Sequence, residues 1–345
     1  MLKSFSGKAI ATKARAMYGG RLTKADYAEL MKRSTVPEAA AYLRDNTHYG
    51  DVLSRVDVAA IHRGQLENLL RQERYNRYLR LIRYDFSREA GFYQYLFLWD
   101  EIQQIINLLR YIGAGSEGEF QIRGAEPLYC SYNREALLRA RTYEAVFEAL
   151  RGTDYYKLLR KHPIREGESK NKLDLVAIER DLTTYYYNRV FASIGREFDR
   201  STARELREVF LRQIDAENIT NAYRLRRFFK SAPEYIRSSL LPFRTPSHKL
   251  IEQIICAEPQ ELDQILRSSH MGAGATDDDM EFIETLTLRL RDKYTKKMMR
   301  YSTHAPVTLV AYVSQMEVEL SNIINIVEAI RYQLAPADIA KMLIL

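Results

Sequence analysis

A chain of 345 residues, 46% hydrophobic and 28% charged, is long enough for two or three domains or one array. With 15 Gly and 9 Pro its composition is that of an ordinary globular protein, light in breakers and rich in helix formers. A net charge of +7 allows an acidic partner, an anionic surface or nucleic acid, and selects none of them. No stretch approaches the roughly 18 to 20 apolar residues of a membrane span. The greasiest run, Phe92 to Trp99, is short and broken by Gln94. Met1 to Gly7 lacks the apolar core of a secretory signal. Two cysteines, Cys130 and Cys256, point to a reducing compartment and no disulfide framework. The expectation is a soluble, cytoplasmic protein.

Apolar residues recur close to the helical period nearly throughout, and alternating β-branched runs are missing, which predicts an all-α fold. Thr35-Val-Pro-Glu38 opens a helix, with Thr and Glu as a capping box and Pro tolerated in the first turn. That helix runs out through Ala41 to Gly50, and Gly50 is predicted to take the left-handed C-terminal position. A long helix comes next. It carries Arg71, Arg74, Arg77, Arg80 and Arg83, while Tyr75, Tyr78, Leu79, Ile82 and Phe86 form its buried line. Steps of three residues turn about 300°, so the five arginines wrap the helix and form no tidy stripe. They are the candidate partner-binding group, against the plainer reading of a solvated face whose stems cover their neighbours.

The next helix, Trp99 to Tyr111, places Ile105, Leu108, Leu109 and Ile112 on one face. Breakers mark joints at Gly113–Glu119 and Ala232–Pro246. Polar surface turns are expected at Glu166–Asn171 and Gly272–Asp279, with Asp277–Asp279 starting a helix.

Three stretches share one plan. Aligned on Asn107, Asn221 and Asn325, each has an acid six residues back (Glu101, Asp215, Glu319). Each also has an amide three back (Gln104, Asn218, Asn322) and isoleucine two back (Ile105, Ile219, Ile323). The intervals are 114 and 104 residues. Arg44, Arg151 and Arg267, each after Leu and just before a Ser or Thr, keep step at 107 and 116. A third match joins Leu66–Arg77 to Ile178–Arg189 at an offset of 112, and Ile283 to Tyr294 corresponds more loosely. Such recurrence predicts three pseudo-repeated multi-helical units, 1–120, 121–245 and 246–345, arranged around a shared axis. The repeated Asn reads as a buried packing residue that fixes how one helix docks on the next, in preference to a ligand site.

Catalytic signatures are sparse. Gly113-Ala-Gly-Ser-Glu-Gly118 satisfies G-x-G-x-x-G, but a helical pattern precedes it where a strand is required, so it reads as a linker. There is no P-loop, no G-x-S-x-G, and no metal-ligand spacing among the six histidines. No cofactor, metal or catalytic residue is expected. Arg beside Tyr suits single-stranded nucleic acid, yet 45 acids nearly balance 52 bases, which makes a nucleic-acid stripe the minority reading.

The opening carries a resemblance. Arg15-Ala-Met17, then Arg21-Leu-Thr23, Tyr27 and Leu30, followed by Ala39–Leu43 and Asn46-Thr-His-Tyr-Gly50, resembles the start of the C subunit of bacterial and archaeal V/A-type rotary ATPases. The d subunit of eukaryotic V-ATPases belongs to the same family. The pattern R-x-M-x-x-x-L-L-T-x-x-x-Y-x-x-L is met except that Arg21 replaces the first leucine, and the likeness extends through the repeats to the C-terminus. The resemblance implies an all-helical, funnel-shaped, non-catalytic rotor component, present once per complex. Its implied role is to couple the central shaft to the membrane ion-translocating ring, from a cytoplasmic, peripheral position and without nucleic acid. The competing classes are a basic helical nucleic-acid-binding or scaffold protein and an enzyme whose site is assembled in space. Steeply salt-dependent nucleic-acid binding marks the first, and a perturbed acid in a closed pocket the second.

Overall fold

A computed structural model describes residues 2–83, 91–115, 131–164, 173–272, 275, 280 and 282–345. Among these residues the regular elements are all helices. The first third holds α1 (Leu2–Gly19), α2 (Lys24–Met31), α3 (Val36–Asn46), α4 (Gly50–Leu53), α5 (Arg63–Ile82) and α6 (Tyr95–Gly113). The second holds α7 (Arg134–Arg139), α8 (Tyr143–Ala149), α9 (Asp154–Leu159), α10 (Leu175–Glu197), α11 (Arg200–Arg227) and α12 (Pro233–Ser239). The last holds α13 (His248–Cys256), α14 (Leu262–Ser268), α15 (Ile283–Tyr301), α16 (Ala305–Arg331) and α17 (Pro336–Lys341). The all-α expectation is met.

Local chemistry sets the helix starts. Thr23, Thr35, Asn133, Thr142, Thr153, Asp174 and Asp199 each accept a backbone N–H of the first turn, supplying an acceptor to donors that have no intrahelical partner. At α3 the box is shifted by one residue, because the Glu38 carboxylate takes the N–H of Ser34 at 2.9 Å. Gly50 departs from expectation: α3 ends at Asn46, and Gly50 starts α4 without a left-handed backbone. Its lack of a side chain matters for another reason, since a Cβ there would stand 2.7 Å from the Arg44 carbonyl oxygen. Among the described residues the left-handed positions are Gly115 (φ 62°), Lys230 (φ 48°) and Gln333 (φ 54°), one after each of the three Asn helices α6, α11 and α16, and Gly152 (φ 86°), which follows α8 and the repeated Arg151. The turns expected at Glu166–Asn171 and Gly272–Asp279, the Asp277–Asp279 helix start, the far end of the Gly113–Glu119 joint, Phe86 and Cys130 lie wholly or partly outside the described residues.

Apolar packing is staggered relative to the sequence. Short helices of one third cover the Asn helix of the third before. Leu137, Val146 and Leu159 join Ile102, Ile105 and Leu109 of α6. Ile254, Leu262 and Leu266 join Ile219 and Tyr223 of α11. Leu30, Leu43 and Leu53, from the start of the chain, join Ile323, Ile326 and Ile330 of α16. The long helices obey the same rule, with α10 on α6, α15 on α11 and α5 on α16. The N-terminal helix α1 lies along α16, and Arg15 donates to the Met299 and Ser302 carbonyls at the end of α15.

The repeated amide pins the chain that leaves the Asn helix. The Asn218 side chain donates to the Leu241 carbonyl (3.0 Å) and accepts the Leu241 N–H (2.9 Å). Asn322 makes the same pair with Ile344, at 2.7 and 2.9 Å. Gln104 instead accepts from the Tyr132 hydroxyl at 3.0 Å. The two asparagine clips each satisfy both backbone polar groups of a buried residue, groups that are costly to leave unmade. Replacing Asn322 with Leu is expected to cost about 2–3 kcal/mol in urea denaturation, whereas Asn107→Ala, at an exposed site, should stay within about 0.5 kcal/mol.

Candidate functional site

The three repeated acids are buried, and each accepts hydrogen bonds from the segment that begins the next third. Glu101 takes the Ser131 N–H (2.8 Å), the Ser131 hydroxyl (3.0 Å) and the Tyr155 hydroxyl (2.6 Å). Asp215 takes the Ser247 N–H at 3.1 and 3.3 Å from its two oxygens. Glu319 closes the cycle onto the start of the chain, taking the Leu22 N–H at 2.7 Å and the Tyr49 hydroxyl at 3.1 Å. Tyr49 and Tyr155 each lie just past a repeated Leu-Arg pair, where the last third has Met271, whose sulfur meets the Ser247 hydroxyl at 3.6 Å. Burial pushes the Glu319 carboxyl above its ordinary value, while the Leu22 N–H, the Tyr49 hydroxyl and Arg77 favour the charged form.

A second set of contacts crosses the same seams. Three residues past each repeated Asn stand Arg110, Arg224 and Glu328. Arg110 pairs with Glu179 of α10, and Arg224 with Glu284 of α15 at 2.7 Å. Glu328 pairs with Arg63 of α5, so the charges are inverted where the last third meets the first. Pairs this exposed contribute at most about 1 kcal/mol each, and their effect is on register more than on strength.

Beside the seams is a cavity of about 330 Å³ lined by both polar and apolar side chains, at the lower end of ligand-sized clefts. It lies between α6, α10, α11, α15 and α16. Trp99, Gln213 and Glu317, each two residues before a repeated acid, all line it. Two residues turn a helix by about 200°, so an acid on the seam forces its second neighbour toward the cavity. Tyr186 and Arg291 also line the wall, at positions matching Arg74 in the long helices. An ionic chain runs behind and along it, from Asp100 through Arg74 (3.2 Å) to Glu317 (3.3 Å) and on to Arg291 (2.5 Å). Burial drives the Asp100 carboxyl up against the pull of Arg74. Glu217, half-buried on the wall, has its pKa pushed up to about 7 by burial and by Glu179, opposed by Arg291. The Tyr95 hydroxyl is buried on the same wall without a hydrogen-bond partner.

The structure disperses the candidate arginines. Arg77 is buried, donating to the Tyr312 hydroxyl (2.8 Å) and the Met17 carbonyl (3.1 Å), and so ties α5 to α16 and α1. Arg74 is absorbed in the ionic chain, and Arg71 holds Glu67 at 2.7 Å. Arg80 is near Asp51 and Glu73, and Arg83 is exposed at the end of α5. Arg74 and Arg77 are therefore internal ties and not a free basic surface; their partners lie on distant stretches that no local pattern reveals. The repeated Asn is likewise corrected. Asn107 and Asn221 are exposed and Asn325 is half-buried, and the packing role falls to the acid and amide before them. Asn221 sits at the solvent end of the cavity wall. Gly113 is the last residue of a helix, and the third glycine of that motif lies outside the described residues.

Among the described residues no group of His, Cys, Asp and Glu is placed to hold a metal, and no helix is long and apolar enough to cross a membrane. The geometry defines an all-α protein whose buried acids and amides join its own segments. A profile of the ATP synthase (C/AC39) subunit matches residues 10–342, and the chain belongs to that family. It is similar to the C subunit of the A-type ATP synthase of Methanosarcina mazei, 27% identical over 311 residues that span 87% of this chain and 81% of the relative. The corresponding C subunit of Methanosarcina acetivorans is 28% identical over 192 residues, 53% of this chain and 49% of its own.

Two substitutions distinguish the roles of these groups. A raised carboxyl pKa contributes stability below its unfolded value that is lost as pH rises through about 7. Glu217→Gln is therefore expected to be more stable than the parent at pH 8, by on the order of 1–2 kcal/mol given partial exposure, with the gap closing toward pH 5. Arg77→Ala should lower stability by about 3 kcal/mol or more in the same assay, while Arg83→Ala should be near neutral.

Proposed function

We propose that this protein is the non-catalytic rotor component that joins the central shaft of an A/V-type ATP synthase to its membrane ion-translocating ring, one copy per complex, on the cytoplasmic side. The single observation that carries this reading is the cyclic seam. The acid of each Asn helix binds the segment opening the next third, and the last binds the first. A closed set of helices held at every joint by buried hydrogen bonds resists shear, because packed interiors deform little. Twist applied at one end then reaches the other without chemistry in between.

The three sequence units are read as surrounding an axis, with the cavity between α6, α11 and α16 on that axis as the seat for the shaft. Its volume admits a few side chains, so the shaft engages by its tip. The ends of the Asn helices supply a second surface. Phe228, Phe229 and Tyr332 are exposed there, close to the left-handed Lys230 and Gln333 and to the basic Arg224 and Arg331. Apolar rings rimmed with positive charge suit the cytoplasmic loops of a membrane ring. The nucleic-acid alternative loses part of its motive, since Arg74 and Arg77 of the Arg/Tyr run that suggested it are engaged inside the protein.

The test is affinity capture of the tagged full chain from detergent-solubilised membranes of its own source. The ion-translocating ring and the shaft should be recovered together, and clean absence of both would overturn the reading. Phe229→Glu combined with Tyr332→Glu is expected to reduce recovery of the ring by at least about tenfold while leaving the fold intact.

A further inference from the structure

We infer that the cavity between α6, α11 and α16 receives a cationic side chain, a lysine or arginine carried on the tip of the shaft, and that Glu217 is the residue that anchors it. The inference rests on the preceding reading of the cavity as the shaft's seat, and adds the chemistry by which that seat recognises its occupant.

Charge on the wall is mostly matched. Glu317 has Arg74 and Arg291, and Glu284 has Arg224. Glu217 lines the cavity with no hydrogen bond or ion pair among the described residues, and Arg291 is the cation that acts on it from a distance. On the other elements packed around it, Glu179 of α10 repels it and is itself held by Arg110 of α6, while Tyr187 adds a neutral phenol. The wall thus carries one unmatched carboxyl.

An independent observation points to a missing polar partner. Tyr95, 6% exposed, holds its hydroxyl buried on the same wall with nothing to bond. Buried polar groups of this kind are uncommon unless something else supplies the partner. A hydroxyl can donate or accept and a carboxylate only accepts, so an ammonium or guanidinium satisfies both at once, whereas an anion, though it could take the hydroxyl proton, is repelled by Glu217, and an apolar group satisfies neither. The desolvation of Glu217 is incurred when the protein folds, so an arriving cation meets a carboxyl already stripped of much of its water. Its pKa near 7 then makes occupancy sensitive to pH, because the proton and the cation compete for the same oxygens.

The experiment measures binding of the isolated shaft of the complex to the immobilised full-length chain at pH 6, 7 and 8. The parent and the Glu217→Gln and Glu217→Asp variants are compared, each first shown to melt cooperatively. Affinity of the parent is expected to rise from pH 6 to pH 8. Glu217→Gln should bind about tenfold or more weakly at pH 8 with a flat profile, and Glu217→Asp should retain the pH dependence. A Gln variant that binds as the parent does at pH 8 overturns the anchor while leaving the seat standing. A parent chain that binds no shaft at any pH overturns both.

Discussion

A carboxylate placed inside a helical protein needs donors, and the donors it finds decide what the surrounding chain can do. Here Glu101, Asp215 and Glu319 each take a backbone N–H from a turn on another segment. A hydrogen bond to a charged acceptor is worth about 1.5–3 kcal/mol, and losing one member of a buried charged arrangement costs more than that. The helix period carries the consequence outward. With the acid fixed on the seam, the amide three residues on faces the chain leaving the helix, and the residue two before looks into the cavity. The residue six after turns toward solvent. One buried group thus sets the orientation of each Asn helix and everything mounted on it.

Much of this was legible in the sequence, and its arithmetic explains what was not. The acid, amide and isoleucine recur with their spacing intact, and they are the residues that pack. Asn107, Asn221 and Asn325 recur just as faithfully, yet a sixth step places them some 240° from the acid, off the face that packs on the seam. Identity of residue type drew attention to them; the helical angle already told against their burial. Trp99, Gln213 and Glu317 escaped notice for the opposite reason, since equivalent places on the cavity wall hold unlike side chains. Half of the acids' hydrogen-bond donors are backbone N–H groups, of Ser131, Ser247 and Leu22, which leave no mark in a sequence. Arg74 and Arg77 appeared as surface charge because their partners, Glu317 and Tyr312, lie 243 and 235 residues away.

The likeness among the seams stops short of identity, and the differences have a direction. One seam uses the shorter Asp215 and a methionine where the others have a glutamate and a tyrosine. Another exchanges the signs of its ion pair, Glu328 facing Arg63 where Arg110 and Arg224 face glutamates. A repeat built from interchangeable joints would dock its pieces in the wrong order as readily as the right one. A reversed charge sets like against like in the mismatched arrangement and leaves the correct one favoured, which is how related interfaces are commonly kept apart.

The joint with the reversed signs also unites stretches far apart in the sequence, Tyr49 and Glu319 being 270 residues apart. At ribosomal speeds of about 5–20 residues per second, the early segment waits roughly 15 to 50 seconds before its cover has been made. During that interval Leu30, Leu43 and Leu53, destined for a shared interior with Ile323, Ile326 and Ile330, have no mate. Until Ile323, Ile326 and Ile330 have been made, the apolar side chains they will cover stay open to water.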